Sequence, residues 1–160
     1  MNIRKTVLNR FLPYLVILLL PGLAVSGSAE MFQSQDLRDD SRIVDESDLI
    51  LVIEFSSEYC GYCRQLEQDF LMPMQRNSDY DDKILIRSVS MSDYEYLVDF
   101  EGRSVSNAEF ASQYGVSVTP TLVFLDSNGV ELTEKLVGFW SLDYFGGFID
   151  NSIDEARENL

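Results

Sequence analysis

The sequence predicts an α/β fold: a central mixed β-sheet with helices on both faces. Three observations carry this reading. Apolar runs rich in β-branched residues, at 49–55, 83–89 and 121–125, have the length and composition of buried strands. Segments with helical spacing of apolar residues separate these runs, which calls for parallel crossover pairing early in the chain. After the third run, Asp126-Ser127-Asn128-Gly129 is a hairpin turn signal, so an antiparallel strand follows.

Residues 30–48 form an acidic N-terminal extension, read as a mobile lead-in to a short helix over 34–40. Leu49 to Phe55 is the central strand. Ser56 to Tyr59 is a turn, and a helix opens near Cys60, with Leu66, Phe70 and Met74 at four-residue spacing on its inner face. Pro73 should kink or end that helix, because it lacks a backbone donor. Lys83 to Val89 is the second strand. Met91 to Asn107, with Tyr94, Tyr96, Leu97, Val98 and Phe100, reads as a short helix or an ordered loop. Asn107 to Tyr114 is a helix closed by Gly115. Thr121 to Leu125 is a strand, and Val130 to Val137 returns antiparallel to it. Ser141 is the expected N-cap of a last helix that turns Leu142, Phe145, Phe148, Ile149 and Ile153 inward. Trp140 and the other aromatics are expected in the core rather than at a cofactor site.

The first 29 residues resemble an export signal. Arg4, Lys5 and Arg10 precede an apolar stretch from Phe11 to Val25, and Ser26-Gly27-Ser28-Ala29 offers small residues for cleavage. The stretch is broken by Pro13, Pro21 and Gly22, so its uninterrupted part is short for a membrane span. An uncleaved N-terminal anchor is the alternative. Either one places residues 30–160 outside the cytoplasm, in a periplasm or an equivalent compartment. The expected organisation is therefore a signal over 1–29, an extension over 30–48 and one domain over 49–160.

The net charge is −15, with 27 acidic against 12 basic residues, and every acidic residue lies at or after Glu30. Such a chain repels nucleic acid and anionic lipid, which excludes a nucleic-acid role. The acidity reads as a solvated surface rather than an acidic docking patch.

The two cysteines lie in Cys60-Gly61-Tyr62-Cys63, and the sequence has no histidine. A disulfide across this spacing closes almost no loop, so it gives little chain-entropy stabilisation. The reason for the pair is then chemical. Exchange needs a reachable thiolate, and a helix N-terminus favours an anion through its free N–H groups and dipole. Cys60 stands where turn gives way to helix. Cys63, about one turn on, can reach back to resolve a mixed disulfide, and Gly61 permits close approach of a substrate backbone. Zinc, haem and iron–sulfur sites want ligands that this chain does not supply, so no metal or other cofactor is expected. A purely structural pair is the remaining alternative.

Two stretches carry a family resemblance. Residues 54–63, Glu-Phe-Ser-Ser-Glu-Tyr-Cys-Gly-Tyr-Cys, and residues 118–124, Val-Thr-Pro-Thr-Leu-Val-Phe, resemble the active-site segment and the cis-proline loop of the thioredoxin superfamily. Gly129 and Gly138 also fit, and the similarity runs from about Leu49 to Ile153, closest to exported stand-alone bacterial members. The resemblance implies a thioredoxin fold. It implies that Cys60 is the nucleophile and Cys63 the resolving thiol. It also implies that Pro120 is cis beside the pair, with Thr119 offering its backbone to an extended substrate; an ordinary trans turn proline is the alternative. Glu54 stands where the family often keeps a buried carboxylate that takes a proton from the resolving cysteine; an outward-pointing strand-end Glu is the alternative.

Tyr59 replaces the usual Trp. Gly61-Tyr62 resembles the dipeptide of exported disulfide isomerases rather than that of thioredoxin. The implied activity is extracytoplasmic thiol–disulfide exchange. Reduction of envelope protein or peptide disulfides is the favoured direction, because Glu58 and Glu67 flank the site and Arg64 is the one nearby cation. The chain would act as a monomer fed by an electron donor in the membrane or envelope. An isomerase or oxidase, and a redox-inactive peptide-binding adaptor, are the alternatives.

Overall fold

A computed structural model describes residues 31–160; the expected signal over 1–29 lies outside them. The chain runs through α1 (Leu37–Ser47), β1 (Ile50–Ser56), α2 (Gly61–Leu66), a π-helical turn (Glu67–Leu71) and α3 (Met72–Arg76). Then come β2 (Ile84–Ser90), β3 (Tyr96–Val98), β4 (Ser104–Ser106), α4 (Asn107–Gln113), β5 (Thr121–Leu125), β6 (Leu136–Val137) and α5 (Phe145–Glu158). A short 3₁₀ turn at Ser78–Tyr80 precedes β2.

The main sheet has the order β2-β1-β5-β6. Strand β1 pairs in parallel with β2 and antiparallel with β5, which makes the sheet mixed as expected. All seven residues of β1 are buried, so its apolar run has two faces to fill. Side chains alternate across a strand. Ile50 and Val52 join Leu66, Leu71, Phe124, Phe145 and Ile149 on one face, beneath α2, α3 and α5. Leu51, Ile53 and Phe55 join Leu37, Val44, Phe110 and Ala111 on the other, beneath α1 and α4. The same alternation turns Glu54 to the first face, under the helix that carries Cys63.

Several elements differ from expectation. The first helix spans 37–47 rather than 34–40. Asp36 caps it by accepting the Arg38 N–H at 3.0 Å, and Asp48, in the left-handed region at φ 54°, ends it. Residues ahead of it pair with the outer edge of β2: the Ser88 N–H donates to Phe32 O at 2.9 Å, and the Ser34 N–H to Ser88 O at 3.1 Å. Pro73 does not end its helix. The turn before it is π-helical, with the Met72 N–H donating to Glu67 O, and the helix runs on to Arg76.

The segment 91–107 holds neither a helix nor a plain loop but a small antiparallel sheet, β3 with β4, burying Leu97 against Val105. Three-residue strands are too short for period two to show in sequence. The turn between them is tied by Asp99, which accepts the N–H groups of Glu101 and Arg103 at 3.1 and 2.8 Å. The antiparallel return over 130–137 shrinks to Leu136–Val137 and one bridge, Leu125 to Glu131. After the Leu132 N–H bonds to Phe124 O at 2.9 Å, the chain leaves the β5 edge until Leu136.

Ser141 is not the N-cap of α5. It gives only its backbone carbonyl to the Phe145 N–H, and the helix starts at Phe145. This later start sets the inner stripe at Phe145, Ile149, Ile153 and Ala156 and leaves Leu142 and Phe148 exposed. Trp140, expected in the core, is 54% exposed, although its ring packs at 4.9 Å on that of Phe145.

Candidate active site

The site grows from the C-terminal end of β1. After Ser56 the chain turns, with the Cys60 N–H donating to Ser57 O at 3.1 Å, and Cys60 becomes the N-cap of α2. Its sulfur accepts the Cys63 N–H at 3.0 Å, satisfying a donor that a helix start leaves free. Cys60 and Cys63 are joined in a disulfide with their Cα atoms 5.2 Å apart. The two sulfurs are not equivalent. Cys60 is half-buried, whereas Cys63 is 1% exposed. An incoming substrate therefore meets Cys60.

Gly61 and Tyr62 lie exposed at the mouth. A Cβ built on Gly61 would meet only the tip of Arg64, so this position leaves room for another chain. The Tyr62 ring stands 6.4 Å from that of Phe139. Tyr59 is fully out in solvent, so it does not pack as a core aromatic. The Arg64 guanidinium donates to the Glu58 carbonyl at 3.3 Å.

A second loop meets the first. The Thr119–Pro120 peptide bond is cis. The Ser57 and Thr119 hydroxyls lie 3.2 Å apart, and this bond links the turn before Cys60 to the loop before β5. The Gly138 N–H donates to Pro120 O at 2.8 Å, and the Thr121 hydroxyl to Val118 O at 2.8 Å, which fixes the loop from both sides. Ser57 has no mark in the sequence beyond its place in the turn, and only the fold reveals its partner.

Glu54 is wholly buried, between Ser88 of β2 and Leu122 of β5 in the sheet register. Neither carboxylate oxygen has a hydrogen-bond donor. Burial, and next the charge of Glu67, push its pKa well above the ordinary carboxylate range. Glu67 stands four residues after Cys63, where a helix brings side chains to one face. The sequence marked it only as a flanking charge. That four-residue spacing is the signal that could have singled it out. Glu67 also lines a cavity of about 680 Å³ beside the disulfide, with Ser56, Ser57, Glu58, Arg64 and Glu95 among its walls. Among the described residues, no group of three or more His, Cys, Asp or Glu is placed to hold a metal ion. Among them too, no helix is long and apolar enough to cross a membrane.

A half-exposed sulfur and a buried one, paired at the start of a helix that follows the central strand of a mixed sheet, define a thiol–disulfide oxidoreductase. Residues 37–152 match the thioredoxin-like domain family, and the chain belongs to that family. Among solved structures it is similar to thioredoxin O2 of Arabidopsis thaliana in the oxidised state, at 16% identity over 75% of this chain and 91% of that one, with a TM-score of 0.51. It is similar to Fasciola hepatica thioredoxin at 18% identity, over 79% and 99% of the two chains, with a TM-score of 0.52. A DsbH oxidoreductase aligns at 16% identity over 79% and 87%, with a TM-score of 0.53. At these identities the likeness is one of fold. No curated protein sequence matches the chain.

Proposed function

We propose that this protein is an extracytoplasmic disulfide reductase of envelope proteins or peptides, acting as a monomer and recharged by an electron donor in the membrane or envelope. The signal-like residues 1–29 support the location. The direction rests on one observation, the sparse stabilisation of a Cys60 thiolate. Among the described residues its sulfur has one backbone donor, from Cys63, while Arg64, the cation nearest to it in sequence, is turned to the Glu58 carbonyl. Glu58 and Glu67 add negative charge to the surroundings. A thiolate held this weakly makes the reduced pair a good electron donor.

In the reaction, the Cys60 thiolate attacks one sulfur of a substrate disulfide. A mixed disulfide forms, and the other substrate sulfur leaves as a thiolate that takes a proton from water. The Cys63 thiol loses its proton to Glu54 and its sulfur attacks that of Cys60. The Cys60–Cys63 bond forms, the bond to substrate breaks, and the second substrate sulfur departs. The substrate gains two electrons and the pair loses two. Gly61 and Tyr62 border the approach, and the Thr119 backbone and Pro120 hold the substrate segment extended.

Trapping tests this. The full chain carrying Cys63→Ser, reduced and mixed with oxidised insulin, should accumulate a mixed disulfide on Cys60 detectable by mass, whereas Cys60→Ser should not. Equal trapping by both variants would refute the assigned roles. A partner held equally well with both cysteines replaced would instead favour a peptide-binding adaptor.

A further inference from the structure

The wall of the cavity beside the disulfide contains a second carboxyl that the exchange reaction itself does not call for. Glu54, on β1 between β2 and β5, is wholly buried, with both oxygens lacking a donor. Burying an unpartnered carboxylate is costly. Glu67 is its like-charge neighbour, four residues after Cys63 on the helix side, and it is half-buried with an opening onto the cavity. Two carboxylates are both acceptors, so neither can serve the other. A single proton between them supplies the missing donor and removes one of two adjacent charges.

β2 contributes the Ser88 hydroxyl and β5 the apolar Leu122. The cavity walls add Glu58, Arg64 and Glu95, the last supplied by the segment leading into β3. Arg64 is directed at the Glu58 carbonyl. The π-helical turn begins at Glu67 itself, and such turns recur at functional sites.

We propose that Glu54 and Glu67 share one proton and act as a two-carboxyl relay, in which Glu67 is the outlet that passes the Cys63 proton to solvent in the cavity. This rests on the proposed role of Glu54 as proton acceptor. Before resolution the shared proton sits on the buried Glu54, which donates it to a Glu67 carboxylate. When Cys63 attacks, that proton crosses to Glu67 and on to water, and the Cys63 proton takes its place on Glu54. One proton enters, one leaves, and the pair keeps one throughout. Glu67 never touches the reacting sulfurs, so it is a positioning and relay residue. The direction of the Glu54 shift agrees with this, since a like charge beside a buried carboxyl raises its pKa.

The test uses the full chain with ¹³C-labelled glutamate δ-carboxyls. In the wild type, the Glu54 and Glu67 resonances should both report the same two-step titration, as coupled groups do. Glu54→Gln should reduce Glu67 to one step. Independent single-step curves in the wild type would overturn the proposal. The pH profile of mixed-disulfide resolution is the second readout. Glu67→Gln should move its inflection to lower pH, because the like charge beside Glu54 is gone, and slow resolution by about tenfold or more on the plateau above the wild-type inflection. Glu58→Gln and Glu95→Gln should leave both unmoved; an equal shift from either would mean general surface charge and would overturn the relay. If the wild type fails to reduce disulfides at all, the proposed function falls, while the carboxyl titration still decides the pair.

Discussion

Replacing Glu54 by leucine should make the oxidised protein more stable at neutral pH, and by less in acid. The side chain is wholly buried and neither oxygen has a donor. An unsatisfied buried polar group costs about 1–3 kcal/mol. Leucine removes that cost and adds apolar contact on a face already formed by Val52, Leu66 and Leu122. With a urea dependence of about 2 kcal/mol per molar, the midpoint near neutral pH should rise by roughly 0.5–1.5 M.

The sign of the pH dependence follows from the raised pKa. The folded state holds the Glu54 proton more tightly than the unfolded state. Its contribution to stability is therefore whole below the unfolded carboxyl range. That contribution declines as pH rises through the folded pKa. The advantage of leucine should narrow at about pH 4, where the unfolded carboxyl is itself largely protonated. Urea titrations of wild type and variant at the two pH values check this, and the difference between the chains cancels the other acidic groups. A less stable variant, or an equal gain at both pH values, would show that the buried Glu54 carboxyl carries no pH-dependent cost. The gain should be accompanied by slower resolution, the usual conflict between stability and a strained functional group.

Other outcomes follow from the same structure. Arg87→Met should cost about 3–5 kcal/mol in denaturant titration, because Asp40, held by Arg87 Nε at 2.7 Å and the Ser34 hydroxyl at 2.7 Å, would remain buried without its cation. Phe110→Ala should cost about 3–5 kcal/mol by the same measurement, since its ring is fully buried against Phe55 and Tyr114. Gly129→Ala should lower the thermal midpoint clearly. At φ 79° a side chain is strained, and the new Cβ would lie 2.6 Å from the Phe100 ring.

What the sequence disclosed and what it hid have physical causes. Ile50 to Ile53 is apolar on both faces, as a central strand requires, so β1 was legible. The Cys pair at a strand-to-helix junction and the Val118-Thr119-Pro120 stretch are local signatures, and they marked the two loops that the fold brings together. Strands β3 and β4 were hidden because each has a single buried residue, Leu97 or Val105, too few to establish a period. The start of α5 was missed because Ser141 looks like a cap, while five aromatics from 139 to 148 fit more than one helical phase. Glu67 escaped notice because its meaning depends on Glu54, thirteen residues earlier and on another element, turning inward beneath it.

If the Cys60–Cys63 pair works as a reductant, its equilibrium reduction potential will show it. Measured in the full chain against glutathione and dithiothreitol buffers, it should lie near about −270 mV, in the region of thioredoxin. A value of about −120 to −180 mV, in the range of disulfide-forming and isomerising proteins, would contradict the account.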